Sequence, residues 1–171
     1  MKISYSLVIF FMGLAVVLST QSCNRNLTAT MSDYETFTNE EPKEIAVFRK
    51  TGCFGYCPIY RVHFYEDGRA IYRGQMNVEK EGTHFGLFNQ RKMRQIIRKA
   101  DRNRFFLWPD VFPVEEKEFL PDLSNTITTI RKGDMEKTIT HNHSGPEELK
   151  DIENAFLELI DSIEWLSVGD E

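Results

Sequence analysis

The chain has 171 residues, of which 41% are hydrophobic and 27% are charged, and its net charge at pH 7 is −5. This length and composition predict one globular domain of ordinary size and exclude disordered, fibrous and collagen-like proteins. The acidic balance argues against nucleic acid as a partner, because nucleic-acid-binding surfaces are basic.

The N-terminus has the pattern of an export signal. Lys2 precedes an apolar run, 7–18, that would span only about 18 Å as a helix, too short for a bilayer core about 30 Å thick. Ser22 stands directly before Cys23, as at the site cleaved by bacterial lipoprotein signal peptidases, and the stretch resembles a lipobox. We therefore expect residues 1–22 to be removed and Cys23 to carry a lipid. The alternative is a secreted protein in which Cys23 is free or disulfide-bonded.

Residues 23–42 predict a flexible tether, because Asn, Thr, Ser, Asp and Glu dominate and no strand or helix periodicity is sustained. The residues that follow, 43–167, are predicted to form a single domain. A tether behind a lipidated Cys23 predicts a protein of the bacterial cell envelope. Its membrane partner is then the bilayer that holds the lipid, on a periplasmic or outer-membrane face.

The only other cysteines lie in the stretch CFGYCP, from Cys53 to Pro58. Thiols outside the cytoplasm tend to be oxidised, and once Cys23 is acylated Cys53 and Cys57 are the one pair left. We therefore predict a disulfide between them. Closing such a short loop restrains the unfolded chain by only about 2 kcal/mol. Its expected role is to fix the turn that leads into the next strand.

Alternation of apolar and polar residues predicts four successive antiparallel strands. The first lies within 43–50 and the second is 59–65. Asp67-Gly68 predicts a tight hairpin, because this pair accepts the positive φ angles that such turns require. The return strand is then 69–75, and a fourth strand lies within 82–88.

The next segment predicts an amphipathic helix that begins after Asn89, a residue type that caps helices through its side chain. Its apolar stripe consists of Met93, Ile96, Ile97 and Ala100. Seven cations occupy the opposite face and the helix end: Arg91, Lys92, Arg94, Arg98, Lys99, Arg102 and Arg104. Two interpretations remain open, a solvated helix face or a docking face for an anionic partner such as phospholipid headgroups.

The segment 105–123 is rich in aromatic side chains and prolines. Its prolines exclude a long helix or a central strand. The rings therefore either pack over the edge of the sheet or line a pocket. The acidic residues between Asp110 and Asp122 leave a hydrolytic carboxylate pair open, although their spacing fixes no geometry.

A second hairpin is predicted from strands at 125–131 and 135–141, and the residues from Ser144 to Glu148 are typical of a helix start. The apolar stripe of that helix continues to Trp165. The element order β-β-β-β-α-β-β-α, without a βαβ crossover, predicts an α+β fold. We expect an antiparallel sheet of about six strands with two amphipathic helices on one face, a two-layer sandwich.

The spacing C-x3-C-P also resembles the copper-binding motif of thioredoxin-like copper chaperones of the cytochrome oxidase assembly type. That resemblance implies two thiolates for Cu(I), with a nitrogen ligand from His84, His141 or His143. In those proteins the motif opens a helix, whereas Pro58 here leads into a strand pattern. We therefore favour a structural disulfide, with no metal site, and interpret His141 and His143 as surface residues.

Several short motifs together resemble an uncharacterised domain family of bacterial lipoproteins with a CFGxCP signature. They are Arg49, CFGYCP with Tyr60, Asp67-Gly68, Tyr72-x-Gly74, Gly82, Phe105-Phe106 and Asp122. The likeness covers about residues 45–165 and implies no activity, cofactor or catalytic residue.

The sequence contains no nucleophile elbow, phosphate-binding loop or H-E-x-x-H motif. We therefore expect a membrane-tethered, non-enzymatic domain without a cofactor, which binds a partner or a small ligand. The alternative is a copper-binding or thiol-redox carrier that uses Cys53 and Cys57.

Overall fold

The structure is a computed structural model that describes residues 27–39 and 42–169. The predicted signal peptide and the predicted lipidation site, Cys23, lie outside the described residues. Three α-helices are described: α1 (Met31–Thr38), α2 (Gln90–Arg102) and α3 (Glu147–Asp161). Two short 3-10 helices follow α2, Phe105–Leu107 and Glu116–Glu118. Eight strands are described: β1 (Glu44–Lys50), β2 (Ile59–Tyr65), β3 (Arg69–Met76), β4 (Gly82–Leu87), β5 (Val111–Phe112), β6 (Thr126–Lys132), β7 (Met135–His141) and β8 (Leu166–Gly169).

All eight strands belong to one open sheet with the order β5-β7-β6-β1-β2-β3-β4-β8. The α+β class and both predicted hairpins are confirmed, but the sheet is larger than the predicted six strands. The two additional strands, β5 and β8, lie at the edges and have only 2 and 4 residues, too few to show an alternating pattern. Strand β5 runs parallel to β7, so the sheet is not purely antiparallel.

Turn chemistry sets the register of the central hairpin. Gly68 has a φ of +95°, and the backbone N–H of Arg69 donates to Oδ1 of Asp67 at 2.9 Å. This turn aligns His63 of β2 with Ile71 of β3. The side chains of β1, β2 and β3 therefore alternate in phase between the two faces of the sheet.

One face of the sheet, which we call the helix face, is covered by α2 and α3. Phe156 of α3 stacks on Phe48 of β1 and contacts Phe64 of β2, with ring centroids 5.6 and 5.7 Å apart. The predicted stripe of α2 is confirmed, because Met93, Ile96 and Ala100 are buried. Asn89 caps this helix as predicted, since its side-chain oxygen accepts hydrogen bonds from two backbone N–H groups.

The opposite face, which we call the outer face, is partly covered by α1. This helix lies in the segment predicted to be a tether and begins with a capping box between Thr30 and Asp33. Tyr34 and Phe37 pack against a small cluster that contains Phe85 of β4. The prediction of helices on one face alone is therefore corrected. With 8 residues and no buried side chain, α1 has too little apolar pattern to be recognised in the sequence.

The aromatic segment after α2 packs over the sheet edge. Phe105 is fully buried, Trp108 packs against the same core, and Phe112 of β5 is 8% exposed. The first of the two interpretations offered for this segment is thus confirmed. The peptide bond between Phe112 and Pro113 is cis.

Helix α3 is shorter than the sequence predicts. It begins at Glu147 with Pro146 as its N-cap, and no side chain caps it, so Ser144, at the predicted helix start, lies before the helix and does not cap it. It ends at Asp161, and Trp165 lies beyond it, where Nε1 donates to the carbonyl of Ile160 at 3.2 Å. Among the described residues, no helix has the length and hydropathy needed to cross a bilayer.

Candidate binding cleft

The CFGYCP stretch is a disulfide-closed loop between β1 and β2. Cys53 and Cys57 are bonded to each other, with their Cα atoms 5.7 Å apart. Between them the rings of Phe54 and Tyr56 are 92% and 85% exposed. Neighbouring large aromatic side chains that are exposed to solvent often mark a surface that binds a partner. The covalent closure therefore presents two aromatic rings in a loop whose conformational freedom is restricted.

Two hydrogen bonds hold this loop against the rest of the domain. The backbone N–H of Phe54 donates to the carbonyl of Asp122 at 2.9 Å. On the other side, Nδ2 of Asn77 donates to the carbonyl of Cys57 at 3.1 Å. The loop is thus attached both to the aromatic segment and to the β3–β4 connection.

A cleft of about 350 Å³ lies beside the disulfide loop. Three aromatic side chains line it: Tyr60 of β2, Tyr72 of β3 and Trp165 after α3. Tyr60 and Tyr72 are stacked with ring centroids 5.3 Å apart, and Tyr72 lies 5.4 Å from Trp165. The remaining lining residues are Pro58, Asn77, Val78, Glu79, Lys80, Ile160, Asp161 and Ile163.

One wall of the cleft depends on a glycine. The β3–β4 connection folds back so closely over β3 that a Cβ at Gly74 would overlap the carbonyl oxygen of Lys80. Asn77, with a φ of 57°, turns the connection at this point. The Tyr72-x-Gly74 motif therefore supplies one aromatic wall and the space that lets the opposite wall approach.

The phenol groups in the cleft stay neutral over the physiological pH range. Burial raises the pKa of Tyr72 to about 12. Burial also raises the pKa of Tyr60, and the neighbouring Tyr72 and the carboxylate of Asp161 raise it further. The two hydroxyls can therefore donate hydrogen bonds to a ligand, but they are poor bases or nucleophiles at neutral pH.

The charged residues of the cleft stand at its rim. Glu79 and Asp161 are acidic and exposed, while Lys80 is basic and lies 3.9 Å from the carboxylate of Glu79. Apolar and aromatic walls with a few polar groups at the edge are the usual composition of a small-molecule site. Its volume also falls within the range, about 300–1,000 Å³, that such sites occupy.

The structure places the candidate metal and redox residues in different roles. The two cysteine sulfurs are joined to each other. His143 is exposed as predicted, whereas His141 is only 6% exposed, so its assignment to the surface is wrong. His84 is buried with its ring against Tyr72. Within residues 27–39 and 42–169, no group of three or more His, Cys, Asp and Glu side chains has the arrangement of a metal site.

His141 belongs to a buried polar cluster that the sequence did not reveal. Its Nδ1 lies 2.9 and 3.0 Å from the two carboxylate oxygens of Glu153 on α3. On the neighbouring strands Nζ of Lys50 donates to Oγ1 of Thr126 at 2.6 Å, and Thr126 pairs with His141 in the β6–β7 register. Burial lowers the pKa of Lys50, and the carboxylate of Glu153 partly opposes that effect. We call these four residues the buried charge cluster.

The basic side of α2 is exposed, as the sequence predicts. Lys99 pairs with Asp151 at 3.0 Å. In the described part of the chain no carboxylate lies within ion-pair distance of Arg91, Arg94 or Arg98. Arg91 and Arg94 also line a groove of about 530 Å³ that contains Leu27, the first described residue.

The fold is an α+β domain with a small cleft lined by aromatic side chains. A family model described as a domain of unknown function (DUF6438) matches residues 44–160. Because this match covers more than half of the chain, the protein belongs to that family. A comparison with curated proteins finds no match.

Proposed function

We propose that the protein is a non-enzymatic binding domain, tethered to a membrane in the bacterial cell envelope through a lipid on Cys23. Its ligand occupies the cleft lined by Tyr60, Tyr72 and Trp165. The observation that carries the proposal is this cleft, where three aromatic walls meet beside a disulfide-closed loop. Among the described residues no histidine, serine or cysteine lines it, and its phenols have raised pKa values, so binding fits this composition better than catalysis.

The lining favours a small ligand with a flat or ring-shaped apolar face. Aromatic side chains offer such a ring a large contact area with little loss of conformational entropy. At the rim, Glu79 and Asp161 outnumber the single cation Lys80. The ligand is therefore neutral or cationic, since a cation gains from both the carboxylates and the aromatic ring faces.

The position of Leu27 supports the tether. Only three residues separate it from Cys23, so its Cα lies within about 15 Å of the lipidated residue even when the chain is fully extended. Arg91 and Arg94 border the groove that contains Leu27. Each cation near an anionic membrane surface contributes about 1 kcal/mol of attraction. The basic end of α2 would thus face the headgroups.

Tryptophan fluorescence of the detergent-solubilised full chain tests the cleft. The sequence has 2 tryptophans, so Trp108→Phe leaves Trp165 as the only reporter. The probes are N-acetylglucosamine (neutral), benzyltrimethylammonium (cationic) and benzoate (anionic). We expect a saturable change with the neutral or the cationic probe.

Adding Tyr60→Ala should weaken that binding at least about tenfold, because aromatic anchors carry much of the energy of a site. Tyr34→Ala is the matched control, since Tyr34 packs on the outer face. The proposal fails if no probe changes the emission, if only benzoate binds, or if both alanine variants bind equally well.

The alternative function is copper binding or thiol-redox transfer by the sulfur atoms of Cys53 and Cys57. It requires the disulfide between them to open. Metal analysis of the purified full chain, before and after mild reduction, separates the two proposals. Stoichiometric copper that is lost in Cys53→Ser would favour the alternative. A disulfide that persists in protein taken from the envelope, with no bound copper, would favour the binding domain.

A further inference from the structure

Three arginines form a row across the outer face of the sheet. Arg49 of β1 pairs with Arg61 of β2, and Arg61 pairs with Arg73 of β3. Their neighbours along each strand, Phe48 and Tyr72 among them, are buried on the helix face. Because directly opposed side chains on adjacent strands have Cβ atoms about 5 Å apart, the three arginine side chains start from Cβ atoms within about 10 Å of one another. We call these residues the arginine row.

The part of the chain that the structure describes does not neutralise the charges of the arginine row. Within residues 27–39 and 42–169, no carboxylate lies within ion-pair distance of Arg49, Arg61 or Arg73. The row is accessible, since Arg73 is exposed and the other two are half-buried. Like charges directly opposite each other destabilise a sheet. The fold thus retains a repulsion that a bound anion would relieve.

At the other end of the outer face, carboxylates of the protein itself neutralise an arginine. There Arg131 contacts the carboxylates of Glu44 and Glu136, and Glu44 also contacts the imidazole of His63. Arg131 therefore has two acidic neighbours, while the arginine row has none among the described residues. The difference points to a partner from outside the chain.

The row is short, and its borders are uncharged. Arg49 is followed across the sheet by Ile127, and Arg73 is followed by Thr83. The next row of the same face contains Val47, His63 and Ile71. A long polyanion would need a longer basic track, so the site fits a compact anion.

The row also lies far from the proposed membrane side. Leu27 shares its groove with Asp67 and Gly68, at the turn between β2 and β3. Arg61 is six residues from Asp67, which corresponds to about 20 Å along an extended strand. That distance exceeds two Debye lengths at physiological salt, so lipid headgroups are not the natural partner.

We propose that the arginine row binds a small, soluble anion that carries two or more phosphate groups. A guanidinium group donates through a planar fork that matches phosphate oxygens, and charge-assisted bonds of this kind are stronger than neutral ones. One phosphate can accept from two neighbouring arginines, so three arginines on a flat surface accommodate two phosphates. This site is separate from the aromatic cleft and does not depend on the function proposed for it.

Calorimetric titration of the detergent-solubilised full chain with inorganic tripolyphosphate, at constant ionic strength, tests the proposal. We expect saturable binding that raises the thermal unfolding temperature. Arg61→Gln should weaken it about 10- to 100-fold, the value of one charge-assisted hydrogen bond. Arg61→Lys, which keeps the charge but loses the fork, should give an intermediate affinity.

Arg98→Gln is the matched control, because Arg98 is an exposed cation of α2 with no ion pair among the described residues. It should bind tripolyphosphate as the unmodified chain does. The proposal is overturned if Arg61→Gln and Arg98→Gln bind equally, if tripolyphosphate does not bind, or if the row is needed only for binding to phosphatidylglycerol vesicles. Loss of binding in an unfolded Arg61→Gln protein is distinguishable, because this variant should unfold at the same or a higher temperature without ligand.

Discussion

Arg49 and Lys50 are neighbours in the sequence, yet the structure treats their charges in opposite ways. Lys50 turns to the helix face, where Thr126 accepts its hydrogen bond and Glu153 supplies a negative charge nearby. Arg49 turns to the outer face, where it stands opposite Arg61. Lys50 is half-buried, and because removing a charge from water is costly, a polar partner and a nearby carboxylate inside the protein compensate it. Arg49 is also half-buried, but among the described residues no carboxylate lies within ion-pair distance of it, of Arg61 or of Arg73, so a bound anion would compensate these charges.

The largest expected effect comes from breaking the buried charge cluster. Glu153→Leu should lower the free energy of unfolding by about 3–5 kcal/mol, because the buried His141 loses its hydrogen-bond partner and Lys50 loses a nearby negative charge. Denaturant unfolding measures the difference. In Glu153→Leu combined with His141→Leu the loss should be smaller, since a buried apolar pair replaces a buried polar one. A larger loss in the double variant would show that His141 stabilises the protein through contacts other than the one with Glu153.

A second effect concerns Tyr72, which is buried near the same end of the sheet but uncharged. Its pKa is raised to about 12, so the folded state keeps the phenol proton at pH values where the unfolded state, with a pKa near 10, loses it. The free energy of unfolding should therefore fall between pH 10 and 12, by about 2–3 kcal/mol.

The variant Tyr72→Phe has no proton to release at this position and should show a shallower loss over the same interval. Unfolding curves of both proteins at a series of pH values provide the comparison. Parallel pH profiles would assign the alkaline loss to other groups, Tyr60 first among them.

The disulfide loop connects the strand that carries Arg49 and Lys50 to the strand that carries Arg61. Cys53→Ser with Cys57→Ser should lower the free energy of unfolding by about 2 kcal/mol, the entropy of a loop of this length. Thermal and denaturant unfolding measure it. The buried charge cluster should persist, because strand pairing and α3 position it. A loss near that of Glu153→Leu would instead make the loop essential to the packing of this end of the sheet.

The smallest expected effects come from single arginines on the outer face. Arg61→Gln should raise the free energy of unfolding by up to about 1 kcal/mol, because it removes two like-charge contacts. Arg131→Gln, on the same face, should lower it by up to about 1 kcal/mol, because Arg131 contacts Glu44 and Glu136. Denaturant unfolding at low salt gives both values. If both variants change the free energy of unfolding in the same direction, the arginine row and Arg131 do not differ in how their charges are neutralised.

Local patterns in the sequence predicted the parts of this fold that local forces determine. The hairpin at Asp67-Gly68, the cap at Asn89 and the stripes of α2 and α3 depend on turn chemistry and on apolar periodicity, both visible within about a dozen residues. The pairing of Cys53 with Cys57 was predictable because the chain has only 3 cysteines. Strand β8 and helix α1 were not, because short elements are stabilised by neighbours distant in sequence.

The candidate sites were less accessible to sequence reasoning than the fold. Tyr60, Tyr72 and Trp165 come from three separate elements, and only packing brings their rings within 5.3 and 5.4 Å of one another. His141 ends a strand, and alternation along β7 would have assigned it to the buried side with Ile139. Its position where the strand gives way to a loop suggested the surface, and the partner that makes burial possible, Glu153, lies on α3.

The sequence by itself determined the alternation of β2, the amphipathic faces of α2 and α3 and the disulfide loop, because each follows from the chemistry of nearby residues. Tertiary structure alone decided that Arg49, Arg61 and Arg73 share one row, since register depends on how three strands align. It also decided that Lys50 and His141 lie near Glu153, since a buried charge is tolerated only where distant parts of the chain supply its partners.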